Sequence, residues 1–334
     1  MQKKTLIYGG GAIGSFMAAC LRKSNHKIFF LCRKKNYYQI KNNGLRIDVY
    51  NNEILLKKYL LTDNKNFIVI NSLKKIKNVK FDNIFITTKI TENLKQIFNK
   101  IDSYIGKKTI VITPCTSIPF WWYLCLNKKF RKKAKEKLDK IFQKNLNKKN
   151  LVGMTMWLSA KITNPGCIRV NHIQRGFPIK EVFSQKKKLV DSLRNDIKKV
   201  CISPKVKNIF SEIYIKSLNS LAFNLIALKF LQNNKKLKGN HRARQEILKI
   251  LVEGDRILQL NNIKVYQTPI SRISQTLKST SHTMSMLYSF KNKKKIELKK
   301  LWLSFESLIK IINLKMNFTK KTYIEVKKKI NEFI

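Results

Sequence analysis

The sequence has few acidic residues. Nineteen aspartates and glutamates stand against 70 lysines and arginines in 334 residues, which gives a formal net charge of +51. The six cysteines form no C-x-x-C pair and the four histidines lie far apart, so we expect neither a disulfide framework nor a metal site. No uninterrupted apolar run reaches the roughly 18 residues needed to span a bilayer. Strand-like sequence begins at Thr5, and we expect a cytoplasmic protein with no membrane partner.

The excess of positive charge raises the question of nucleic-acid binding. Basic residues occur in short groups along the whole chain, such as 131–133 and 293–295. Neither a basic arm nor an aromatic-rich nucleic-acid signature accompanies them. A lysine-rich solvated surface explains this pattern, so we expect no specific nucleic-acid partner.

The pattern of predicted elements changes along the chain. Short buried strands at 5–8, 27–31, 83–88 and 109–113 alternate with helix-compatible sequence, which predicts an α/β fold with a doubly wound parallel sheet. After about residue 191 the apolar residues follow mostly helical spacing. We therefore predict a Rossmann-type NADP-binding domain over residues 1–206 and an all-helical substrate and catalytic domain over residues 207–334. The lysine-rich stretch 127–150 is interpreted as a solvated excursion within the first domain.

A glycine motif follows the first predicted strand. Gly9, Gly11 and Gly14 form G-x-G-x-x-G, with Ala12 and Ile13 inside it, at the start of a helical pattern. Glycine allows the tight turn, the close approach of the backbone to a pyrophosphate and close helix–strand packing, while the helix N-terminus favours an anion. The motif in this context predicts dinucleotide binding.

The second predicted strand leads into Arg33 where NAD-preferring folds usually carry an acidic residue for the ribose hydroxyl. A guanidinium offers paired donors to a phosphate, so Arg33, with Lys34 beside it, favours NADPH over NADH. The alternative is a surface basic triplet in a lysine-rich protein. Lys89 follows another strand, where ligands of parallel sheets bind, although an exposed lysine is common at a strand end.

A polar stripe crosses an otherwise apolar helical pattern at 213–228. Lys216, Ser220 and Asn224 recur at intervals of four residues and therefore lie on one face of the predicted helix. A buried lysine or asparagine needs a partner. That partner is either an anionic, oxygen-rich substrate or a carboxylate elsewhere in the chain, and the stripe leaves both open.

Together these motifs resemble the ketopantoate reductase family, whose members reduce 2-dehydropantoate to pantoate with NADPH on the route to pantothenate and coenzyme A. The resemblance extends over nearly the whole chain. It includes further matches in family order at 87–89, 118–123, 153–170 and 285–287 before Glu297.

The resemblance also implies roles for individual residues. It makes Lys216 the general acid, Asn224, Ser285 and Glu297 substrate-binding residues, and Arg33 the residue that receives the 2′-phosphate. It places Lys89 and Glu297 near the cofactor as well. Burial would lower the pKa of Lys216 and nearby carboxylates would raise it, so the sequence leaves the direction open.

The chain departs from the family pattern at several positions, including Tyr288-Ser289 after Ser285 and the residues around Glu297. Thr116-Ser117 replaces an Asn-Gly pair, and Ser220 replaces a second asparagine on the Lys216 helix. Hydroxyls still form hydrogen bonds but lack the reach of an amide, and we take Thr116 and Ser220 as candidate substrate-binding residues. The resemblance implies ketopantoate reduction by a monomer or homodimer. The alternatives are a reductase of another small 2-keto acid, a homologue without turnover and a basic nucleic-acid-binding protein.

Overall fold

The computed structural model describes residues 2–51, 53–88, 94–139, 142–279, 283–294 and 296–332. The chain divides into two units, each formed by two segments. The first unit consists of Met1–Cys115 and Leu138–Ile209, and the second consists of Thr116–Lys137 and Phe210–Ile334.

All strands of the described residues lie in the first unit. They are β1 (Lys4–Tyr8), β2 (Lys27–Leu31), β3 (Leu45–Asn51), β4 (Ile54–Leu61), β5 (Phe67–Ile70), β6 (Phe81–Ile86), β7 (Ile105–Pro114), β8 (Leu151–Met154), β9 (Trp157–Asn164), β10 (Cys167–Gly176) and β11 (Ile179–Glu181).

The helices occur in both units. They are α1 (Ala12–Arg22), α2 (Lys34–Asn43), α3 (Leu94–Ile101), α4 (Lys128–Asp139), α5 (Lys187–Lys198), α6 (Ile209–Phe230), α7 (Asn234–Gly239), α8 (His241–Leu260), α9 (Pro269–Leu277), α10 (Ser285–Lys291), α11 (Leu298–Ile312) and α12 (Asn317–Glu332). None of them, within the described ranges, is both long and apolar enough to cross a membrane.

The main sheet has seven strands in the order β11-β8-β7-β6-β1-β2-β5. Neighbouring strands run parallel except for β11, which is antiparallel to β8. Apolar residues predominate in its central strands, and Leu6, Phe30 and Phe85 are fully buried, as expected of a parallel sheet that is covered on both faces. The predicted α/β fold with a parallel sheet is confirmed.

A second sheet of four strands, in the order β4-β3-β10-β9, was not predicted. Strands β3 and β4 form an antiparallel pair, as do β9 and β10, and a parallel pairing between β3 and β10 joins the two pairs. Leu45, Ile47 and Val49 alternate along β3 and are buried in the same core cluster as Phe16 of α1. The sheet therefore extends the core of the first unit.

The second unit contains helices and no strand among its described residues, which confirms the all-helical prediction. Helix α6 covers the predicted helical segment 213–228 and continues beyond both of its ends. Because residues on every side of α6 are buried, including Tyr214, Leu218 and Phe223, this helix forms the centre of the unit's core.

The segment 116–137 belongs to the second unit, whereas the predicted domain boundary after residue 206 placed it in the first domain. The indole N–H of Trp122 donates a hydrogen bond to the backbone carbonyl of Phe210 over 2.8 Å, and the ring of Trp121 packs edge-on against the Phe210 ring at 5.7 Å. The backbone N–H of Asn127 donates to Oδ1 of Asn261 over 2.9 Å. The high lysine content obscured these apolar anchors, which attach the segment to the helical core.

Candidate functional site

The glycine turn between β1 and α1 has the geometry that its sequence predicts. Gly9 has φ +127°, and a Cβ atom there would lie 2.7 Å from the backbone N of Thr88. The hydroxyl of Thr87 donates a hydrogen bond to the carbonyl of Gly9 over 2.7 Å. The turn is therefore closed against the carboxyl end of β6, and only glycine fits at its first position.

The other two glycines of the motif differ in what surrounds them. A Cβ at Gly14 would lie 2.2 Å from the carbonyl oxygen of Gly9, so Gly14 permits close packing of α1 on the turn. A Cβ at Gly11 would meet no atom within 4 Å. Gly11 is the N-cap of α1, and no side chain caps the helix there. The space before the first turn, where Ala12 and Ile13 lie, is thus open to a ligand at the positive end of the helix dipole.

Two polar side chains beside the turn are suitably placed for a dinucleotide site. Within the described residues, the hydroxyl of Thr88 is buried without a hydrogen-bond partner. The side-chain amide of Asn36 donates to the carbonyl of Gly10 over 3.2 Å and ties the start of α2 to the turn. Thr88 and Asn36 were not predicted as site residues. The position of Thr88 at the carboxyl end of a predicted strand, beside the predicted Lys89, was the signal that could have identified it.

Arg33 lies where the sequence predicts it, two residues after the end of β2. It is the N-cap residue of α2, has an extended backbone conformation and is exposed. Lys34 is the first residue of α2. Lys89 lies outside the described residues, so its predicted place near the cofactor is not tested by the structure.

Lys216 is half-buried on α6, and its acidity is altered by that position. Burial lowers the pKa of Lys216 to about 8, and the carboxylate of Glu212, one helical turn earlier, partly opposes this by raising it. The sequence left the direction open, and the structure shows that burial dominates. A lysine with a pKa near neutrality can both hold and release a proton at physiological pH.

The polar stripe of α6 is present and connects to α10. The side-chain amide of Asn224 donates to the carbonyl of Ser220 over 2.7 Å, and its Oδ1 accepts from the backbone N–H of Met286 over 3.0 Å. Met286 follows Ser285, the exposed first residue of α10. The structure therefore brings together the stripe and the start of the helix that carries Ser285.

Two other predicted residues lie at the ends of elements. Glu297 is half-buried and is the N-cap residue of α11. Thr116 is exposed and lies shortly after β7, in the segment that leads to Trp121 and Trp122. The substrate-binding roles of Thr116 and Glu297 stay predictions. Glu212 was not predicted, although its spacing from Lys216 in the sequence was a visible signal.

Comparison with known proteins supports the resemblance. The model of the family described as ketopantoate reductase PanE/ApbA matches residues 5–114. A search of curated proteins gives no significant match.

Several solved structures are similar over nearly the full chain. A protein from Ralstonia solanacearum MolK2, provisionally named a ketopantoate reductase, has a TM-score of 0.80 at 16% identity and covers 98% of each chain. D-mandelate dehydrogenase in complex with NADH and anilino(oxo)acetate has a TM-score of 0.76 at 18% identity over 99% of each chain. A 2-dehydropantoate 2-reductase from Geobacter metallireducens GS-15 has a TM-score of 0.75 at 14% identity, and the alignment covers 97% of this chain and 99% of the reductase chain.

At these identities the structural similarity establishes the fold, and the family match adds a sequence relationship for the N-terminal part. The predicted resemblance is thereby confirmed: residues 5–114 match the model of the ketopantoate reductase PanE/ApbA family, and the chain has the fold of solved structures that bear the family's name.

Proposed function

We propose that this protein is an oxidoreductase that converts 2-ketopantoate to pantoate with NADPH, on the route to pantothenate and coenzyme A. The family match over residues 5–114 and the fold support an oxidoreductase of this kind. The main support for the proposal is the position of Lys216, a half-buried lysine on the polar stripe of α6 whose pKa is lowered by burial to about 8.

The glycine turn and Arg33 are the proposed cofactor contacts. The open space at Gly11 lets the backbone amides of Ala12 and Ile13 approach a pyrophosphate, and the exposed guanidinium of Arg33 suits a 2′-phosphate. When bound, the nicotinamide supplies the hydride that C2 of the keto acid accepts. Lys89 and Glu297 stay predicted contacts near that end of the cofactor.

Lys216 is the proposed general acid. Its ammonium group donates a hydrogen bond to the keto oxygen and transfers the proton as negative charge develops there, which yields the hydroxyl group of the product. The neutral amine then recovers a proton from water. A pKa of about 8 leaves most of the lysine protonated at pH 7 while easing the transfer relative to an ordinary lysine.

Polar groups around the stripe are proposed to hold the rest of the substrate. The amide nitrogen of Asn224 donates to the carbonyl and, over 3.4 Å, to the hydroxyl of Ser220, and its oxygen accepts from Met286, which leaves one lone pair of that oxygen for a ligand. Ser220, Ser285 and Thr116 offer hydroxyl groups. Glu297 is proposed to accept from the distal hydroxyl of ketopantoate.

A reductase of another small 2-keto acid is the second candidate. Thr116 and Ser220 stand where the family pattern has asparagines, and the D-mandelate dehydrogenase fold is as similar to this chain as those of the reductases. Because that dehydrogenase is solved with NADH, this candidate also leaves NADH as the alternative cofactor. The cytoplasmic location and a monomeric or homodimeric state stay predictions from the sequence.

The two candidates differ in what the purified protein reduces. NADPH and NADH consumption would be followed at 340 nm with 2-ketopantoate and with 2-keto acids that carry aromatic or branched side chains. The proposal expects fastest turnover with 2-ketopantoate and NADPH. Preference for another keto acid would favour the second candidate, and no keto-acid-dependent oxidation of either cofactor would refute both.

A further inference from the structure

Two lysine ammonium groups converge on the phenol of Tyr37. Nζ of Lys41 lies 3.3 Å from the Tyr37 hydroxyl oxygen and Nζ of Lys75 lies 3.5 Å from it. The same two ammonium groups lie 5.5 Å and 5.1 Å from the centroid of the Tyr37 ring. The two positive charges are therefore at most about 7 Å apart, although Lys75 comes from a different segment of the chain.

This convergence leaves an excess of positive charge. Within the described residues, the carboxylate in ion-pair distance of Lys41 is that of Asp63, at 3.8 Å. The lysines lower the pKa of the Tyr37 hydroxyl, Lys41 more than Lys75, which shows that their field acts on the oxygen between them. One carboxylate cannot neutralise two ammonium groups, and a cluster with net positive charge near a surface attracts anions.

The cluster lies close to Arg33 along α2. Tyr37 follows Arg33 by one helical turn, and its backbone N–H donates to the Arg33 carbonyl over 2.8 Å. Residues four apart on a helix share a face, so Tyr37 and Lys41 lie on one face of α2, and Arg33 is the N-cap residue at the start of that helix. The start of this helix is tied to the glycine turn by Asn36.

Lys75 reaches the cluster from the neighbouring strand. It ends the short 3₁₀ turn Leu73–Lys75, which follows β5. Strand β5 pairs in parallel with β2, and the backbone N–H of Cys32 donates to the carbonyl of Ile70 over 3.0 Å. The segments that leave β2 and β5 thus start side by side at the carboxyl edge of the sheet, the edge where ligands of such sheets bind.

We propose that Lys75, held with Lys41 on Tyr37, forms a second cationic contact for the 2′-phosphate of NADPH, on the β5 side of Arg33. The inference rests on the proposed function only in its choice of the phosphorylated cofactor. A 2′-phosphate carries close to two negative charges, which one guanidinium neutralises only in part. Arg33 supplies directed donors, Lys75 supplies the further charge, and Tyr37 keeps the lysine stem extended towards α2.

The test measures binding of the adenosine end alone. Adenosine 2′,5′-bisphosphate and 5′-AMP differ only in the 2′-phosphate, and their affinities would be measured by calorimetry at several salt concentrations. We expect Lys75→Met to weaken the bisphosphate about tenfold, the scale of one hydrogen bond to a charged group, and to change 5′-AMP less than about twofold. Lys161→Met removes an exposed lysine of β9 and is the matched control, expected to have no selective effect.

Two further variants separate charge from folding. Lys75→Arg keeps the positive charge and should retain most of the preference for the bisphosphate over 5′-AMP. Tyr37→Phe keeps the ring but removes the oxygen that both lysines contact, so this variant should lose part of that preference. The inference is overturned if Lys75→Met weakens both nucleotides equally, if it matches Lys161→Met, or if the wild-type protein does not prefer the bisphosphate. Selective binding by a protein that reduces no 2-ketopantoate would leave this inference intact and remove the substrate assignment instead.

Discussion

The side-chain oxygen of Asn224 accepts a hydrogen bond from the backbone N–H of Met286 over 3.0 Å, across 62 residues of sequence. The bond joins α6, which carries Lys216, to the first turn of α10, which carries Ser285. Asn224 is only 3% exposed, so water cannot readily replace it as the partner of this N–H group. A residue predicted to bind substrate is therefore also part of the tertiary structure.

Replacing Asn224 should affect stability as well as substrate binding. We expect Asn224→Ala to lower the free energy of unfolding by about 1–3 kcal/mol, because the Met286 N–H would lose its partner in a poorly solvated position. Ser220→Ala is the comparison, since it retains the carbonyl that accepts over 2.7 Å and removes only the longer 3.4 Å contact of the Ser220 hydroxyl, so we expect a smaller loss. Urea denaturation without ligands measures both. Equal stability of Asn224→Ala and the wild type would contradict the structural role.

The pH dependence of turnover should report the pKa of Lys216. Because the protonated form is the proposed acid, kcat/KM should fall as pH rises through about 8. Glu212 raises that pKa, so Glu212→Gln should move the alkaline limb of the profile to lower pH. Lys216→Ala should lose at least about 10²-fold in kcat while still binding NADPH. An alkaline limb that stays in place in Glu212→Gln would show that another group titrates.

Two glycines of the same turn should respond differently to alanine. Gly14→Ala introduces a Cβ at 2.2 Å from the Gly9 carbonyl oxygen, so we expect destabilisation of about 1–3 kcal/mol or more. Gly11→Ala meets no atom within 4 Å and should fold nearly as well as the wild type. It should nevertheless weaken NADPH, because the new methyl group fills the space before α1. Thermal unfolding and NADPH fluorescence titration measure the two effects, and unchanged affinity in Gly11→Ala would argue against a cofactor there.

A buried ion pair in the helical unit should be sensitive to removal of one partner. The guanidinium of Arg272 on α9 contacts the carboxylate of Asp255 on α8, and its Nη1 lies 3.4 Å from Oδ1 of Asn219 on α6. Arg272 and Asp255 are 1% and 6% exposed. Asp255→Leu should destabilise the protein by about 3–5 kcal/mol, because it leaves a buried charge unpaired.

The double variant Asp255→Leu with Arg272→Met should be clearly more stable than Asp255→Leu alone, since no buried charge remains. A double-mutant cycle from chemical denaturation measures this difference. If the two single losses simply add, the pair does not interact as the structure indicates.

The sequence allowed the central part of the first unit to be predicted because its signals are local. Strand β2 is a short apolar run, the glycine motif follows β1 directly, and α1 repeats its apolar residues at helical spacing. The second sheet escaped prediction because its pairing is not local. Strand β4 is largely exposed and has no clean alternation, and β3 pairs with β10 across more than a hundred residues.

The part of the candidate site that depends only on helical spacing could be predicted from the sequence. Lys216, Ser220 and Asn224 share a face because of the period of α6, which the structure confirms. The bond from Asn224 to Met286 and the meeting of Lys41 and Lys75 on Tyr37 depend on tertiary packing between separate elements. The pKa of Lys216 was also beyond prediction, because it depends on how far α6 is buried.

The way in which the chain divides has a practical consequence for dissecting this protein. The polypeptide passes from one unit to the other after Cys115, Lys137 and Ile209, so no single cleavage separates them. A fragment ending at residue 206 would keep Trp121 and Trp122 but lose Phe210 and α6, against which they pack. Without these partners the two indole rings would be exposed and would favour aggregation. An isolated nucleotide-binding fragment therefore requires that residues 116–137 be excised and the ends rejoined by a short linker.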